Sequence, residues 1–181
     1  MNFHATPIED VWVVEPERRE DERGYFARTW DRQELEARGL DASLAQCSVS
    51  FTRRRGTLRG MHYQAAPHEE TKLVRCTSGA IFDVAVDLRP DSDTFLRWVG
   101  RELTAANGLA LYIPKGCAHG FLALADDTEV AYQISEPYAP DAARGVRWDD
   151  PAFGIAWPAD VVVVNERDGS YPDFVVTGVA S

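Results

Sequence analysis

The chain has 181 residues, 45% of them hydrophobic, which is enough for one domain with a sizeable core and too few for two comfortable ones. Its formal net charge of -10 argues against a general nucleic-acid surface and against an anionic membrane, so an anionic small ligand would have to be held by local arginines. No apolar stretch approaches the length of a membrane span, and the first ten residues hold no basic segment followed by an apolar run, so the expected location is the cytoplasm.

In chain order, Ile8 to Val14 is apolar and β-branched enough for a strand, closed by Glu15-Pro16 and a charged run through Arg23. Asp21-Glu-Arg-Gly24 is a turn signal. A short helix follows, with Asp31 as its cap, Leu35 on its inner face and Gly39 at its end. Short strands are then expected at Ala45 to Phe51, Thr57 to Tyr63, Thr71 to Thr77, Ile81 to Leu88, Leu96 to Leu103, Ala110 to Ile113, Phe121 to Leu124, Glu129 to Ile134 and Val161 to Val164. Turn signals such as Arg55-Gly56, Ser78-Gly79, Asn107-Gly108 and Pro114-Lys-Gly116 separate most of them, at the spacing of a sandwich or barrel. The proline-rich segment from Tyr138 to Asp160 is expected to be a long ordered excursion with Trp148 and Trp157 as packing anchors, and Val175 to Ser181 to be frayed. The fold class is therefore all-β, a jelly-roll barrel with one or a few short helices, forming one domain over residues 1–181.

Cys47, Cys76 and Cys117 are unevenly spaced with no C-x-x-C pair, so buried free thiols are expected rather than disulfides or a thiolate metal site. The stretch Gly56-Thr-Leu-Arg-Gly-Met-His62-Tyr-Gln64 sets one guanidinium and one imidazole among apolar residues between glycines. If it is extended, Leu58, Gly60, His62 and Gln64 share one face and Arg59, Met61 and Tyr63 the other, so an inward His62 implies a polar interior. Jelly-roll proteins of the cupin type often hold a metal with an H-x-H pair and a later histidine after a P-x-G turn. The later element is present as Pro114-Lys-Gly116-Cys-Ala-His119, but the first is broken at His62-Tyr-Gln64, and an amide oxygen is a poor substitute for imidazole. No metal is expected.

All but two of the 19 basic residues are arginine, leaving Lys72 and Lys115. Lys72 opens the buried-looking run Lys-Leu-Val, where an ammonium needs an anionic partner or a lowered pKa. Tyr132 shares a strand face with Val130 and Ile134, and taken alone would be core. Glu166-Arg-Asp168-Gly169, taken alone, is a charged solvated turn.

These residues resemble the dTDP-4-dehydrorhamnose 3,5-epimerases, a family of metal-free cupins, from about Pro7 to Phe174. The resemblance is carried by Asp21-Glu-Arg-Gly-Tyr-Phe26, Gly56 to Gln64, Lys72-Leu-Val74, Asp83-Val-Ala-Val-Asp-Leu-Arg89, Tyr112-Ile-Pro-Lys-Gly-Cys-Ala-His-Gly-Phe121 and Ile155-Ala-Trp-Pro158. It implies inversion at C3 and C5 of a nucleotide-linked 4-keto-6-deoxyhexose by removal and return of protons next to the ketone, without a cofactor. It also implies roles: His62 as general base with Asp168 as its carboxylate partner, Tyr132 as the acid on the opposite ring face, and Lys72 as the cation for the enolate. His119 and Arg59 match substrate-binding positions, Arg23 and Arg59 match pyrophosphate donors, and Phe26 and Tyr138 match aromatics flanking the base.

The departures from the family pattern fall on binding positions. Arg28 stands where a glutamate is common, Gln46-Cys-Ser48 replaces Gln-x-Asn, Ala143 lacks the second acid, and Arg167 replaces a lysine before Asp168. The chemistry is thus better specified than the nucleotide or the sugar. The rivals are a 3- or 5-monoepimerase, a 3,4-ketoisomerase and a sugar-nucleotide-binding cupin without catalysis. The resemblance further implies a homodimer in which the Arg23 to Phe26 region reaches the partner and edge strands are covered.

Overall fold

The computed structural model describes residues 1–175, so of the tail expected to fray, 176–181 lie outside the described residues. Two antiparallel sheets face each other. The first has the order β1 (Asn2–Ala5), β2 (Trp12–Glu15), β10 (Ala110–Ile113), β7 (Lys72–Ser78), β12 (Thr128–Ile134), β5 (Gln46–Thr52). The second runs β13 (Ala143–Gly145), β6 (Leu58–Gln64), β11 (Cys117–Ala123), β8 (Ala80–Asp87), β9 (Trp98–Thr104). A separate hairpin pairs β3 (Arg18–Asp21) with β4 (Gly24–Ala27). This is the expected jelly-roll sandwich.

Period-two alternation sends Val74 and Cys76 of β7, Val130 of β12, Ile81 and Ala85 of β8, and Cys117 and Phe121 of β11 into one buried cluster between the sheets. Each aliphatic side chain buried there contributes about 1.5–3 kcal/mol. The same inward rows carry Lys72, Tyr132, Asp83 and His119, so polar groups enter the interior on strands that are anchored by apolar neighbours two residues away.

The outer faces are covered unequally. Helix α1 (Arg32–Glu36) is capped by Asp31, whose carboxylate accepts from the Gln33 and Glu34 N–H groups, and its buried Leu35 packs with Leu40 on Val14, Leu73, Ala110 and Tyr112. Val146, Phe153 and Trp157 of the proline-rich excursion cover Met61, Val84, Val86 and Ala118 of the second sheet. Trp157 donates its indole N–H to the Trp148 carbonyl at 3.0 Å, in keeping with the expected packing role. The outer face of β5 is left open, with Val49 62% and Phe51 50% exposed.

That open face corrects one expectation: Cys76 and Cys117 are buried free thiols, but Cys47 is exposed, because it alternates with Val49 and Phe51 on the edge strand. The strand expected from Ile8 to Val14 begins only at Trp12. Thr6 Oγ1 accepts from the Ile8 N–H and donates to the Val11 carbonyl at 2.8 Å, building a turn from which Ile8 and Val11 still reach the core. The Asp21 to Gly24 turn is present, flanked by strands whose charge and exposure concealed them. No strand forms over Val161 to Val164; only Val163 bridges Thr57, and Val162 and Val163 are exposed.

Candidate active site

The site starts from an irregularity in β6. His119 pairs with His62 and Phe121 with Arg59, so Gly120 alone stands opposite both Gly60 and Met61. The extra residue is a bulge that inverts the alternation partway along the strand. Arg59 and His62 consequently line the same cavity while Met61 joins the outer cluster, which corrects the face assignment made from simple alternation. Gly60 has φ +125°, and a Cβ on it would lie 2.5 Å from the Gly120 Cα, so the two backbones meet only as glycines.

Asp168 is tied to this bulge. One oxygen accepts the Gly60 N–H at 3.0 Å and the other contacts His62 Nε2 at 2.7 Å. It stands on the short helix α2 (Glu166–Gly169), whose cap Asn165 accepts the Asp168 N–H at 2.7 Å. The solvated-turn reading of this segment fails for that reason: the Asp168 side chain is 1% exposed, against 41% for His62. Burial pushes the Asp168 carboxyl up, but the bonds from His62 and Gly60 and the charge of Arg167 outweigh it, and the group is held below the ordinary carboxylate value. An ionised carboxylate only accepts, so Nε2 is the donor in this contact and Nδ1 is the ring nitrogen left for a ligand.

The cavity, about 420 Å³, lies between the two sheets. His62 and His119 enter it from the second sheet, and Tyr132 and Lys72 from the first. The Tyr132 hydroxyl lies 3.2 Å from Ser50 Oγ, and its ring meets the edge of His119 at 6.0 Å between centroids. Burial pushes the phenol pKa well up, and the bond to Ser50 offsets only part of that.

The anionic partner that Lys72 requires is Glu70, 2.8 Å from Nζ, with both side chains 11% exposed. The ammonium also lies 3.4 Å from the His62 carbonyl, reaching across to the other sheet. Sequence reasoning missed Glu70, although its spacing of two from Lys72 was a usable signal. It also missed Asp83, which touches His119 Nε2 at 2.7 Å and is fully buried. Burial pushes the Asp83 carboxyl up, opposed by the charges of His119 and Lys72, and its Oδ2 has no hydrogen-bond partner. The signal there was a charged residue alternating with Ile81 and Ala85.

At the rim, Gln46 accepts the Tyr138 N–H at 2.8 Å, and Arg59 donates to Thr52 Oγ1 and the Phe51 carbonyl at 3.1 and 3.0 Å. Ser48, Tyr138, Ala143, Arg144 and Arg167 complete the rim, with Arg167 donating to the Tyr171 hydroxyl at 2.9 Å. Gln64, at the broken H-x-H position, donates to the His68 and Pro137 carbonyls and accepts the Ala139 N–H, so its amide is a structural clamp. Among the described residues no group of three or more His, Cys, Asp or Glu side chains is placed to hold a metal ion. Two expected site residues are not brought to the cavity by this chain: Arg23 is bonded to Asp21 within its own hairpin, and Phe26 is 69% exposed. Arg28 likewise pairs with Asp31, at 2.6 Å, away from the cavity.

Residues 5–175 match the family model described as dTDP-4-dehydrorhamnose 3,5-epimerase. The chain belongs to that family. The dTDP-4-dehydrorhamnose 3,5-epimerase of Sinorhizobium fredii is 42% identical over 173 residues, 95% of this chain and 89% of the relative. The crystal structure of the Bacillus anthracis dTDP-4-dehydrorhamnose 3,5-epimerase with TDP and pyrophosphate bound superposes with a TM-score of 0.91 at 39% identity, covering 96% of this chain and 99% of that one. A 3'-monoepimerase from Streptomyces bikiniensis, solved with dTDP-quinovose, gives 0.86 at 37% identity, covering 94% and 86%. His62, Glu70, Lys72, Asp83, His119, Tyr132 and Asp168 all fall within the matched residues, and the fold is the cupin jelly roll of these epimerases.

Proposed function

We propose that this chain, working as one jelly-roll unit over residues 1–181, is an epimerase acting on a nucleotide-diphosphate-linked 4-keto-6-deoxyhexose in deoxysugar biosynthesis. The observation that carries this reading is that His62 and Tyr132 enter one cavity from opposite sheets, with an ammonium beside them. A sugar ring held between them has a base on one face and an acid on the other. His62 Nδ1 takes the proton from a carbon next to the C4 ketone, and Asp168 steadies the imidazolium that results. Lys72 donates to the oxygen that becomes the enolate, and Tyr132, kept protonated by burial, returns a proton from the other side, inverting the centre.

The cation at the enolate is Lys72, and Gln64 is engaged by backbone groups, so the reading is metal-independent and cofactor-free. Arg59 and Arg167, with His119, Gln46, Ser48 and Tyr138, hold the sugar and its nucleotide diphosphate. Arg23 and Phe26 would serve a partner's cavity in a homodimer that also covers the open face of β5. An active monomer in light scattering would sink that part of the reading. The expected location is the cytoplasm.

Incubation with dTDP-4-keto-6-deoxyglucose in D2O, read by NMR, tests the chemistry. Deuterium is expected at C3 and C5, and is abolished in His62→Ala. Uptake at one carbon alone would make the protein a monoepimerase. No uptake with this or any other nucleotide carrier would overturn the proposal.

A further inference from the structure

Glu70 is a second carboxylate in a cavity whose base already has one. It precedes β7 by two positions from Lys72, holds Oε1 at 2.8 Å from the ammonium, and lines the cavity together with it. A carboxylate so close weakens the field that Lys72 offers an enolate, which is a poor arrangement for a bystander. The pair presents one donor and one acceptor side by side. A 4-keto sugar presents the complement: the C4 carbonyl accepts, and the hydroxyl on C3 donates from the adjacent carbon. C5 offers no such group, since it carries the methyl and the ring oxygen.

We propose that Glu70 is a specificity-determining residue that reads the hydroxyl next to the ketone, so that the site selects an α-hydroxy ketone. The inference rests on the epimerase reading above. Lys72 takes the carbonyl oxygen, Glu70 takes the C3 hydroxyl, and the ring is fixed with its reacting carbons toward His62. A ketose lacking that hydroxyl leaves a nearly buried carboxylate without its donor, a mismatch that a site built for hydrogen bonding rejects strongly.

The test compares dTDP-4-keto-6-deoxyglucose with its 3-deoxy analogue, following deuterium uptake at the carbons flanking the ketone in wild type, Glu70→Gln and Glu70→Ala. Wild type is expected to favour the hydroxylated sugar by at least about 10-fold in kcat/KM. Glu70→Ala is expected to lose that preference, and Glu70→Gln, which keeps an acceptor oxygen, to retain part of it. If Glu70 merely neutralises Lys72, both sugars slow by the same factor and the preference survives in both variants, which overturns the proposal. An equal rate on the two sugars in wild type overturns it as well. Failure of wild type to exchange either sugar, repeated with other nucleotide carriers, overturns the epimerase reading instead, so the two failures are distinct. Thermal melts of both variants separate loss of fold from loss of selectivity.

Discussion

Two histidine–aspartate pairs have their histidines on neighbouring strands of one sheet, and each is closed by a 2.7 Å contact, yet their carboxyls are driven in opposite directions. Asp168 has both oxygens engaged, one by His62 and one by the Gly60 N–H, and its pKa is lowered. Asp83 has one oxygen on His119 and the other without a partner in a fully buried setting, and its pKa is raised. His62 is 41% exposed at the side chain and His119 only 6%. The contact distance is therefore no guide to what a dyad does. The bonds to the far oxygen and the access of the ring decide whether the pair is ready to exchange a proton with a ligand or is set to hold a ring in place.

The strongest way to break the comparison is Asp168→Asn, which removes the anion behind the base. A fall in kcat of about 10²–10⁴-fold is expected, measured as initial deuterium exchange, whereas Asp83→Asn should leave kcat within about tenfold and act mainly on KM. Next is Gly60→Ala, which drives a Cβ into the Gly120 backbone at the point where the bulge turns His62 inward. A loss of about 3 kcal/mol in urea unfolding is expected, together with loss of exchange in the protein that remains folded.

The smallest effect sharpens the comparison through pH. Asp168 has a depressed value in the folded chain, so its contribution to stability is present above the unfolded value of about 3.9 and is lost as pH falls through the folded one. Asp83 has a raised value, so its contribution is present below about 3.9 and is lost as pH rises through the folded one. The stability difference between wild type and Asp168→Asn should therefore grow with pH, and that for Asp83→Asn should shift the opposite way. Denaturant titrations across the carboxylate range would show two slopes of opposite sign, and slopes of one sign would refute the contrast.

Much of the fold was legible because its strands obey local rules. Ala110 to Ile113 is a strand with the expected bounds, and the α1 cap at Asp31 follows from one side chain and two backbone donors. The strands that escaped were charged, as in β3, or very short, as in β13, while Val161 to Val164 had the composition of a strand but pairs only through the single bridge from Val163 to Thr57. For the site, the resemblance picked out side chains that the fold gathers from opposite sheets. It could not show the bulge at Gly60 and Met61, because register is a property of two strands and not of one. Glu70 and Asp83 were hidden for a related reason: a carboxylate becomes informative only when the group opposite it is known.

The two bonds that Asp168 makes reach back 106 and 108 residues. At about 5–20 residues per second, roughly 5–20 s of synthesis separate His62 from its carboxylate. By then every strand of both sheets has been synthesised, β13 included. The residues of the barrel are thus all made before the group that orients its base, which comes last, on one turn of helix. A chain clipped between β13 and α2 would keep every strand of the vessel and lose the carboxylate behind its base.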